Sequence, residues 1–299
     1  MFGILNCDKP LGITSRSVVN AVHRQVRPCK AGHAGTLDPL ATGVLLVPVG
    51  QAVRLTSYLQ ELPKEYCGVF RFGVQTASGD LELTPEPMEN APIPTLEQVE
   101  VARDQFLGDI EQVPPAHSAI KIDGQRAYRL ARQGQDVKMK PRKVRIDTIE
   151  ILRYEYPDLH LRIVCGSGTY IRSLGVDLAA ACGTVAVMTS LRRTAIGDFR
   201  VEQAHTLDEI REGDVEGMLQ SPLLGLPTMP HVCLRDDELL RIEQGQILSL
   251  DPSPLFSEAD EEIAAIDENQ RLRALLCQKG GGWRAKRGFP LDAEISCDG

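Results

Sequence analysis

The sequence predicts an α+β fold, with a long mixed or antiparallel sheet flanked by helices and a small β-rich domain at the C-terminal end. Three observations support this fold class. Strand-like runs of apolar or alternating residues recur along the chain, at 2–5, 43–49, 64–73, 144–152 and 159–165. Segments with apolar residues at helical spacing separate these runs. The length of 299 residues is sufficient for one large domain and one small domain.

Capping residues and the spacing of apolar residues predict the individual helices and strands along the chain. Thr14 or Ser15 is a typical helix N-cap, and valines at helical spacing predict a helix that ends near Val26. Further helices are predicted at 51–60, 95–107, 169–182 and 236–244. Two strands at 262–266 and 272–277, joined by polar residues, predict a hairpin in the C-terminal part of the chain.

The composition is that of a soluble globular protein, with 42% hydrophobic and 25% charged residues. No apolar run is long enough to span a membrane, and the first residues lack the pattern of a secretion signal. The eight cysteines are scattered and form no C-x-x-C pair, which argues against a zinc site and for reduced thiols. We therefore expect a cytoplasmic protein that does not contact a membrane.

The net charge of −8 is distributed unevenly along the chain. Residues 201–299 contain 9 Lys and Arg against 20 Asp and Glu, whereas residues 1–200 contain 24 against 21. Within 121–145 there are 9 basic and 2 acidic residues. Such a concentration of positive charge is typical of a surface that contacts nucleic-acid phosphates, and it is equally typical of a solvated helix face.

A glycine-framed loop at 32–45, with the sequence GHAGTLDPLATGVL, contains a single carboxylate, Asp38. Its three glycines and its proline exclude a regular helix or strand across the whole loop. Apolar residues surround Asp38, so burial would disfavour its charge unless a cation or hydrogen-bond donors compensate. Two interpretations fit this pattern: Asp38 caps the local turn, as Asp often does, or it is a chemical group held ready for reaction.

Two other side chains have a simple structural interpretation. Tyr66 lies in the predicted strand at 64–73, where a tyrosine is commonly a core residue. Arg172 falls in the first turn of the predicted helix at 169–182, where the helix dipole slightly disfavours a cation. It is therefore either a surface arginine or an arginine with an anionic partner.

Ordered motifs across roughly the first 200 residues resemble the TruB family of tRNA pseudouridine synthases. The loop at 32–45 is preceded by K-P-L-G-I-T-S at 9–15 and followed by K-E-Y at 64–66. The similarity continues with T-A-S-G-D at 76–80, the segment 108–128 and G-T-Y-I-R-S-L at 168–174. Because several motifs occur in order, the similarity is much more specific than one glycine-rich loop.

The resemblance implies a pseudouridine-synthase catalytic domain at 1–227 and a PUA-like domain at 228–299. It implies isomerisation of uridine to pseudouridine in the T-loop of tRNA, at position 55, after the base is flipped out of the RNA. Asp38 is the implied nucleophile or base toward the ribose, and Arg172 its implied ion-pair partner. Tyr66 is implied to stack on the base and to assist removal of the C5 proton.

Other matched or nearby positions are assigned as contacts to the substrate or the RNA: His33, Lys9, Lys64, Tyr170, Leu191, Lys121 and Arg126. For Lys9, the resemblance favours support of the catalytic loop over direct chemistry. The reaction is neither a redox reaction nor a net hydrolysis, so we expect no cofactor and no metal. The expected partner is the T-arm of a tRNA, bound by a monomer without a guide RNA.

Three positions depart from the family pattern. Residues 81–83 replace a glycine that is expected after T-A-S-G-D, His117 stands where a tyrosine is expected, and Gly166 removes one side chain from its loop. The basic stretch at 279–287, predicted as a loop, either touches RNA or is a flexible end. Two other functional classes stay open: a non-catalytic RNA-binding or RNA-chaperone module, and a guide-RNA-dependent pseudouridine synthase.

Overall fold

The computed structural model describes residues 1–115, 121–122, 125–126, 139–250 and 261–290, with 121–122 and 125–126 described by their backbone alone. Within these ranges the strands are β1 Phe2–Lys9, β2 Ala41–Gly50, β3 Lys64–Phe72, β4 Val74–Gln75, β5 Glu86–Pro87, β6 Gly108–Gln112, β7 Lys121–Ile122, β8 Gln125–Arg126, β9 Arg142–Glu155, β10 Asp158–Cys165, β11 Ala186–Ile196, β12 Phe199–Arg200, β13 His231–Cys233, β14 Glu262–Ile266, β15 Leu272–Lys279 and β16 Gly282–Gly288. The α-helices are α1 Ser15–Gln25, α2 Thr56–Glu61, α3 Leu96–Asp104, α4 Ile171–Ala181, α5 Leu207–Glu212, α6 Val215–Met218 and α7 Asp236–Glu243.

One large sheet forms the centre of the molecule, with the strand order β1-β2-β11-β3-β10-β9-β6 and with β12 paired to β11. The pair β2 and β11 is parallel, and the other neighbours are antiparallel. The predicted mixed sheet flanked by helices is therefore confirmed. The pairing places β2, β3 and β11, which come from distant parts of the sequence, side by side in the middle of the sheet.

β3 shows how the sequence pattern generates a buried face. Tyr66, Phe70 and Phe72 alternate with more exposed residues and lie in the largest apolar core, as the period-two pattern predicts. The helix α4 packs on this face. Gly175 of α4 lies against the ring of Phe70, where a Cβ atom would be only 2.0 Å from the ring. This close approach fixes the position of α4 over β3.

The first helix was also predicted correctly. The side chain of Thr14 accepts a hydrogen bond from the backbone N–H of Ser17, which caps the first turn of α1. Val18, Val19 and Val22 are buried against β1 and β2 in a second apolar core. This arrangement places the loop that follows α1 at the start of β2.

Several predicted boundaries differ from the structure by a few residues, and two elements differ in a way that their contacts explain. β1 extends to Lys9 because its pairing with β2 continues through Asn6 and Asp8, whose polar side chains interrupt the apolar pattern used for the prediction. The predicted helix at 51–60 is divided into a 3-10 segment, Gln51–Leu55, and α2.

The C-terminal part of the described chain contains a separate sheet, β13-β14-β15-β16, and is β-rich as predicted. The predicted hairpin corresponds to β14 and β15. The prediction of a loop at 279–287 is wrong, because β16 pairs with β15 and Trp283 is buried in the core of this sheet. The sequence pattern of this strand is weak, because Trp283 and Ala285 are its only alternating apolar residues and glycines and charged residues surround them.

The second sheet is attached directly to the first. Phe2 of β1 stacks on Phe289, with ring centroids 5.2 Å apart. Arg54 donates a hydrogen bond from Nη1 to the carbonyl oxygen of Gly288, at 2.7 Å. No helix in the described ranges combines the length and the apolar character needed to cross a membrane.

The contact between α4 and β3 predicts a large effect of Gly175→Ala. The added methyl group would overlap the Phe70 ring, so we expect a loss of at least about 1–3 kcal/mol in the free energy of unfolding. Gly217→Ala is a matched control, because its Cβ would come no closer than 3.3 Å, to a carboxylate oxygen of Asp214. Urea unfolding of both variants measures the difference, and equal midpoints would contradict the proposed tight contact.

Candidate active site

The loop that carries Asp38 is fixed to the start of α1. The backbone N–H of Leu37 donates to Ser15 Oγ at 2.8 Å, and Ser15 Oγ donates to the carbonyl oxygen of Leu37 at 3.0 Å. The N–H of Gly12 donates to the carbonyl oxygen of Pro39 at 2.9 Å. These bonds hold the main chain on both sides of Asp38, so its carboxylate is not needed to stabilise the turn.

The carboxylate of Asp38 instead forms an ion pair with Nη2 of Arg172. The other terminal nitrogen, Nη1, lies 3.0 Å from Oδ2 of Asp80. The Asp80 side chain is fully buried, Arg172 is 7% exposed, and Asp38 is 42% exposed. One guanidinium therefore joins a buried carboxylate to a carboxylate that is open to solvent. The partner of the Asp38 carboxylate is thus a distant arginine and not the N–H groups of its own turn.

Local backbone shape brings Arg172 to this position. Nη1 also donates to the carbonyl oxygen of Ser78, at 2.9 Å. Gly79 adopts a left-handed conformation with φ of 74°, and a Cβ there would lie 3.3 Å from the Arg172 side chain. The placement of Arg172 near the N-terminus of α4 is compensated by its two carboxylate partners.

Asp80 is a residue that sequence reasoning did not assign. Its Oδ1 accepts a hydrogen bond from the N–H of Glu82 at 3.1 Å, which orients Oδ2 toward Arg172. Removing one partner of a buried ion pair typically costs about 3–5 kcal/mol, because the other charge is left uncompensated. The signal in the sequence was the position of Asp80 at the end of the matched T-A-S-G-D motif.

Tyr66 and Leu191 lie beside the Asp38 loop, on neighbouring strands. Both are about 8% exposed and belong to the core that also contains Leu37 and Ala41. Burial raises the pKa of the Tyr66 hydroxyl, an effect that Arg193 partly opposes. The structure thus brings together the three residues predicted to be catalytic, with a phenol that is protonated at neutral pH.

Arg193 is a second buried guanidinium. It is 2% exposed, and its central carbon lies 6.0 Å from the centre of the Tyr66 ring. It donates from Nε to the carbonyl oxygen of Val44 at 2.7 Å and from Nη2 to that of Gly35 at 3.2 Å. Its neighbour Arg192 is more exposed and pairs with Asp8. The contacts of Arg193 are therefore structural, because its guanidinium binds main-chain carbonyl oxygens inside the protein.

Lys9 and Lys64 were predicted to contact the substrate or the RNA, and both are buried. Lys9 is 0% exposed and donates to the carbonyl oxygens of Ile13 at 2.8 Å, Pro10 at 3.0 Å and Pro39 at 3.5 Å. Burial lowers the pKa of Lys9 to about 8, against the opposing influence of Asp38.

Lys64 donates to the carbonyl oxygen of Gln60. Burial lowers its pKa to about 8, and the positive charge of Arg193 contributes to this decrease. These contacts direct both amino groups toward main-chain carbonyls inside the protein.

His33 and Tyr170 are half-buried near the site. The Nδ1 atom of His33 is buried without a hydrogen-bond partner among the described residues. Burial lowers the pKa of His33, and Arg16 and Arg193 lower it further, so a neutral imidazole is favoured. The backbone of Tyr170 is held by Gln112, which accepts from its N–H at 2.7 Å and donates to its carbonyl oxygen at 3.0 Å.

Part of the predicted RNA-binding set lies outside the described side chains. Lys121 and Arg126 face each other across the pair β7 and β8, and only their backbone is described. His117 and most of the basic segment 121–145 also lie outside the described residues. Among the described residues, no group of three or more side chains suitable as metal ligands occurs.

A groove of about 420 Å³ lies on the central strands, and its lining includes Leu11, Cys67, Leu152 and Leu191. None of Asp38, Tyr66 and Arg172 lines it. The groove therefore borders the candidate site at Leu191 but does not contain the charged groups.

Solved structures of other proteins share this fold. The chain matches a structure titled "Crystal Structure of a Cbf5-Nop10-Gar1 Complex" with a TM-score of 0.72 and 25% identity, covering 97% of this chain and 85% of that one. It matches a "Structure of H/ACA RNP bound to a substrate RNA containing 2'-deoxyuridine" with a TM-score of 0.69 and 24% identity, over 97% and 86% of the two chains, which supports the fold alone.

The family models define the class. Residues 23–171 match the N-terminal domain of the TruB family pseudouridylate synthases, and residues 172–224 match the tRNA pseudouridylate synthase B C-terminal domain. The family models thus identify the chain as a pseudouridylate synthase, an isomerase that converts uridine to pseudouridine.

Curated relatives support the same assignment. A "tRNA pseudouridine synthase B" of Rhodopirellula baltica is 41% identical over 284 residues, covering 89% of this chain and 81% of the relative. One of Mycobacterium tuberculosis is 42% identical over 292 residues, covering 95% and 94%. The chain belongs to the TruB family.

The burial of Lys9 predicts a specific pH dependence of stability. Because its folded-state pKa is about 8 and its ordinary value is 10.5, both states carry the proton below pH 8. Above pH 8 the folded state releases this proton while the unfolded state retains it, so unfolding takes up a proton and rising pH favours the folded state. The slope reaches at most about 1.4 kcal/mol per pH unit.

Lys9→Met removes this contribution. Between pH 8 and about 9.5, we expect the free energy of unfolding of the wild type to rise relative to that of the variant. Urea unfolding at several pH values measures the two curves. Parallel curves would contradict a buried, deprotonating Lys9, whatever the offset between them.

Proposed function

We propose that this chain isomerises uridine at position 55 in the T-loop of tRNA, with Asp38 acting on the ribose of the flipped nucleotide. The observation that carries the proposal is the half-exposed Asp38 carboxylate, held by a buried guanidinium beside Tyr66 and Leu191. A substrate that enters this site meets one accessible anionic oxygen and an adjacent ring. We propose the cytoplasm as the location, because tRNA is the substrate.

The chemistry needs only the groups of this site. The C1′–N1 glycosidic bond breaks, the base rotates and a C1′–C5 bond forms. The proton on C5 is then lost to an acceptor and N1 takes up a proton, so the product has the same atoms as the substrate. Asp38 acts either by attack on C1′ or by removal of a ribose proton, and in both routes a carboxylate must be ionised when the substrate binds. The guanidinium of Arg172 supplies a fixed positive charge beside this carboxylate.

Tyr66 supplies a surface for the extruded base. Extrusion costs a few kcal/mol, and stacking on an aromatic ring recovers about 1–3 kcal/mol per base. The Tyr66 hydroxyl assists removal of the C5 proton, and the nearby Arg193 charge opposes the increase in pKa that burial causes. His33 and Tyr170 hold the RNA around the flipped nucleotide.

The direct test is the reaction of the purified chain with unmodified tRNA alone. Formation of one pseudouridine in the T-loop supports the proposal. Activity that appears only with a guide RNA and partner proteins would identify the guide-dependent class instead. Refolding of tRNA without product, unchanged in Asp38→Ala, would identify a non-catalytic chaperone.

Asp38→Asn preserves shape and removes the charge, so we expect product formation to fall by at least about 10⁴-fold. Binding of tRNA remains measurable, because the phosphate contacts are unaffected. Asp158→Asn is the matched control, since its carboxylate pairs with Arg71 at the surface, away from the site. Single-turnover assays and filter binding measure the two quantities, and near-wild-type turnover of Asp38→Asn would exclude Asp38 from the mechanism.

Tyr66 variants separate stacking from proton transfer. Tyr66→Leu removes the ring, so we expect kcat/KM to fall by about 5- to 150-fold from lost stacking alone, with a further loss from the hydroxyl. Tyr66→Phe keeps the ring, so we expect kcat/KM to fall only by the part that the hydroxyl contributes. Equal activity of Tyr66→Phe and the wild type would remove the hydroxyl from the reaction, and measurement of C5 tritium release follows that step.

A further inference from the structure

The region between β1 and the Asp38 loop contains positive charge without negative charge. From Lys9 to Leu37 the sequence contains five Lys and Arg residues and no Asp or Glu. Lys9 is buried, whereas Arg16, Arg24 and Arg27 are exposed. In the sequence, this segment is distant from the basic segment at 121–145 on which the expectation of RNA binding relied.

Arg16 and Arg24 lie on one side of α1, and Arg27 follows in the turn after its last residue, Gln25. A spacing of eight residues places Arg16 and Arg24 about 80° apart around the helix axis, so both project from the same half of its surface. The opposite side contains Val18 and Val22, which are buried against the sheet. We call Arg16, Arg24 and Arg27 the α1 basic stripe. By helical rise, Arg16 and Arg24 are about 12 Å apart along α1, enough to meet successive phosphates of one strand.

The stripe is not neutralised by its surroundings. Among the described residues, no carboxylate forms an ion pair with any of its three arginines. Other exposed arginines do have such partners: Arg71 with Asp158, Arg153 with Glu155 and Arg235 with Asp237. These three exposed guanidinium groups have no carboxylate partner among the described residues, so they are available to bind external anions.

The acidic helix α5 packs on a different flank of α1. Gln25 donates from Nε2 to the carbonyl oxygen of Arg211 in α5, at 3.0 Å. Gln25 is about 180° around the helix from Arg16. Arg16 therefore faces away from α5, which contains Asp208, Glu209 and Glu212.

The stripe begins at the candidate active site. Ser15, which directly precedes Arg16, exchanges two hydrogen bonds with the backbone of Leu37, one residue before Asp38. The charge of Arg16 also acts on His33, which is consistent with the two side chains being close. An RNA strand that reaches Asp38 can thus continue along α1.

We propose that the α1 basic stripe binds the phosphate backbone of the tRNA arm next to the flipped nucleotide. This inference rests on the proposed function for the choice of RNA and adds a second binding surface to it. Arginine suits this role because its planar, permanently charged group can donate two hydrogen bonds to one phosphate. The surface recognises backbone charge and not base sequence.

The test compares two triple variants with the same change of net charge. R16Q/R24Q/R27Q removes the stripe, and R71Q/R153Q/R235Q removes three exposed arginines that are already paired with carboxylates. Binding of an unmodified tRNA transcript is measured by fluorescence anisotropy at several salt concentrations. Product formation is measured in parallel at saturating tRNA.

For the stripe variant we expect binding that is about 10- to 100-fold weaker at 0.1 M salt, with a salt-dependence slope reduced by about 2 to 3. The turnover number at saturating tRNA should be unchanged, and the control variant should bind within about twofold of the wild type. Each single substitution should reduce the slope of log binding constant against log salt concentration by about 0.7–0.9. The single variants therefore test the inference if the triple variant folds poorly.

Equal affinity and equal slopes for the two triple variants would overturn the inference, and would leave an acidic protein as the remaining type of partner for this surface. The proposed function fails in a different way: the wild type would then bind tRNA without forming pseudouridine, whatever the behaviour of the stripe variant.

Discussion

The structure depends on one buried guanidinium, that of Arg172, placed between two carboxylates. Asp80 is fully buried and Asp38 is partly open, so the arginine links the protein interior to the site where a substrate binds. Removing such a cation from water is costly, and only close, well-oriented anions compensate for it. The loop after α1, the turn at Gly79 and the start of α4 must all meet at this point. Their meeting explains why α4 packs so closely on β3.

The other buried cations are compensated differently. Lys9, Lys64 and Arg193 donate to main-chain carbonyl oxygens and have no carboxylate partner among the described residues. Carbonyl oxygens satisfy the hydrogen bonds of these three cations but do not neutralise their charges. The interior near Asp38 therefore has a net positive charge. This surplus favours a polyanionic ligand, and the α1 basic stripe extends the same preference over the surface. The acidic C-terminal part of the sequence therefore does not conflict with RNA binding.

The sequence was sufficient where local rules decide the outcome. The period-two pattern around Tyr66, the cap at Thr14 and the dipole argument for an anionic partner of Arg172 all correspond to observed features. Residues whose environment depends on distant strands were not predictable. Asp80 has a role only because α4 places Arg172 next to it in the folded structure. Arg193 could not be distinguished from Arg192 in the sequence, because only the folded sheet shows that Arg193 is the buried one. The strand β16 was likewise not predicted, because its basic residues resemble a loop. Its pairing with β15 is what makes it a strand.

The stacked rings of Phe2 and Phe289 have a consequence for biosynthesis. Phe2 leaves the ribosome early and Phe289 late, so the surface of β1 that receives the second sheet stays uncovered during most of translation. Contacts between residues far apart in the sequence form slowly during folding. Until they form, an exposed apolar patch on a nascent chain is a site for aggregation or for chaperone capture. The order of synthesis thus makes the junction between the two sheets the last part of the described chain to mature.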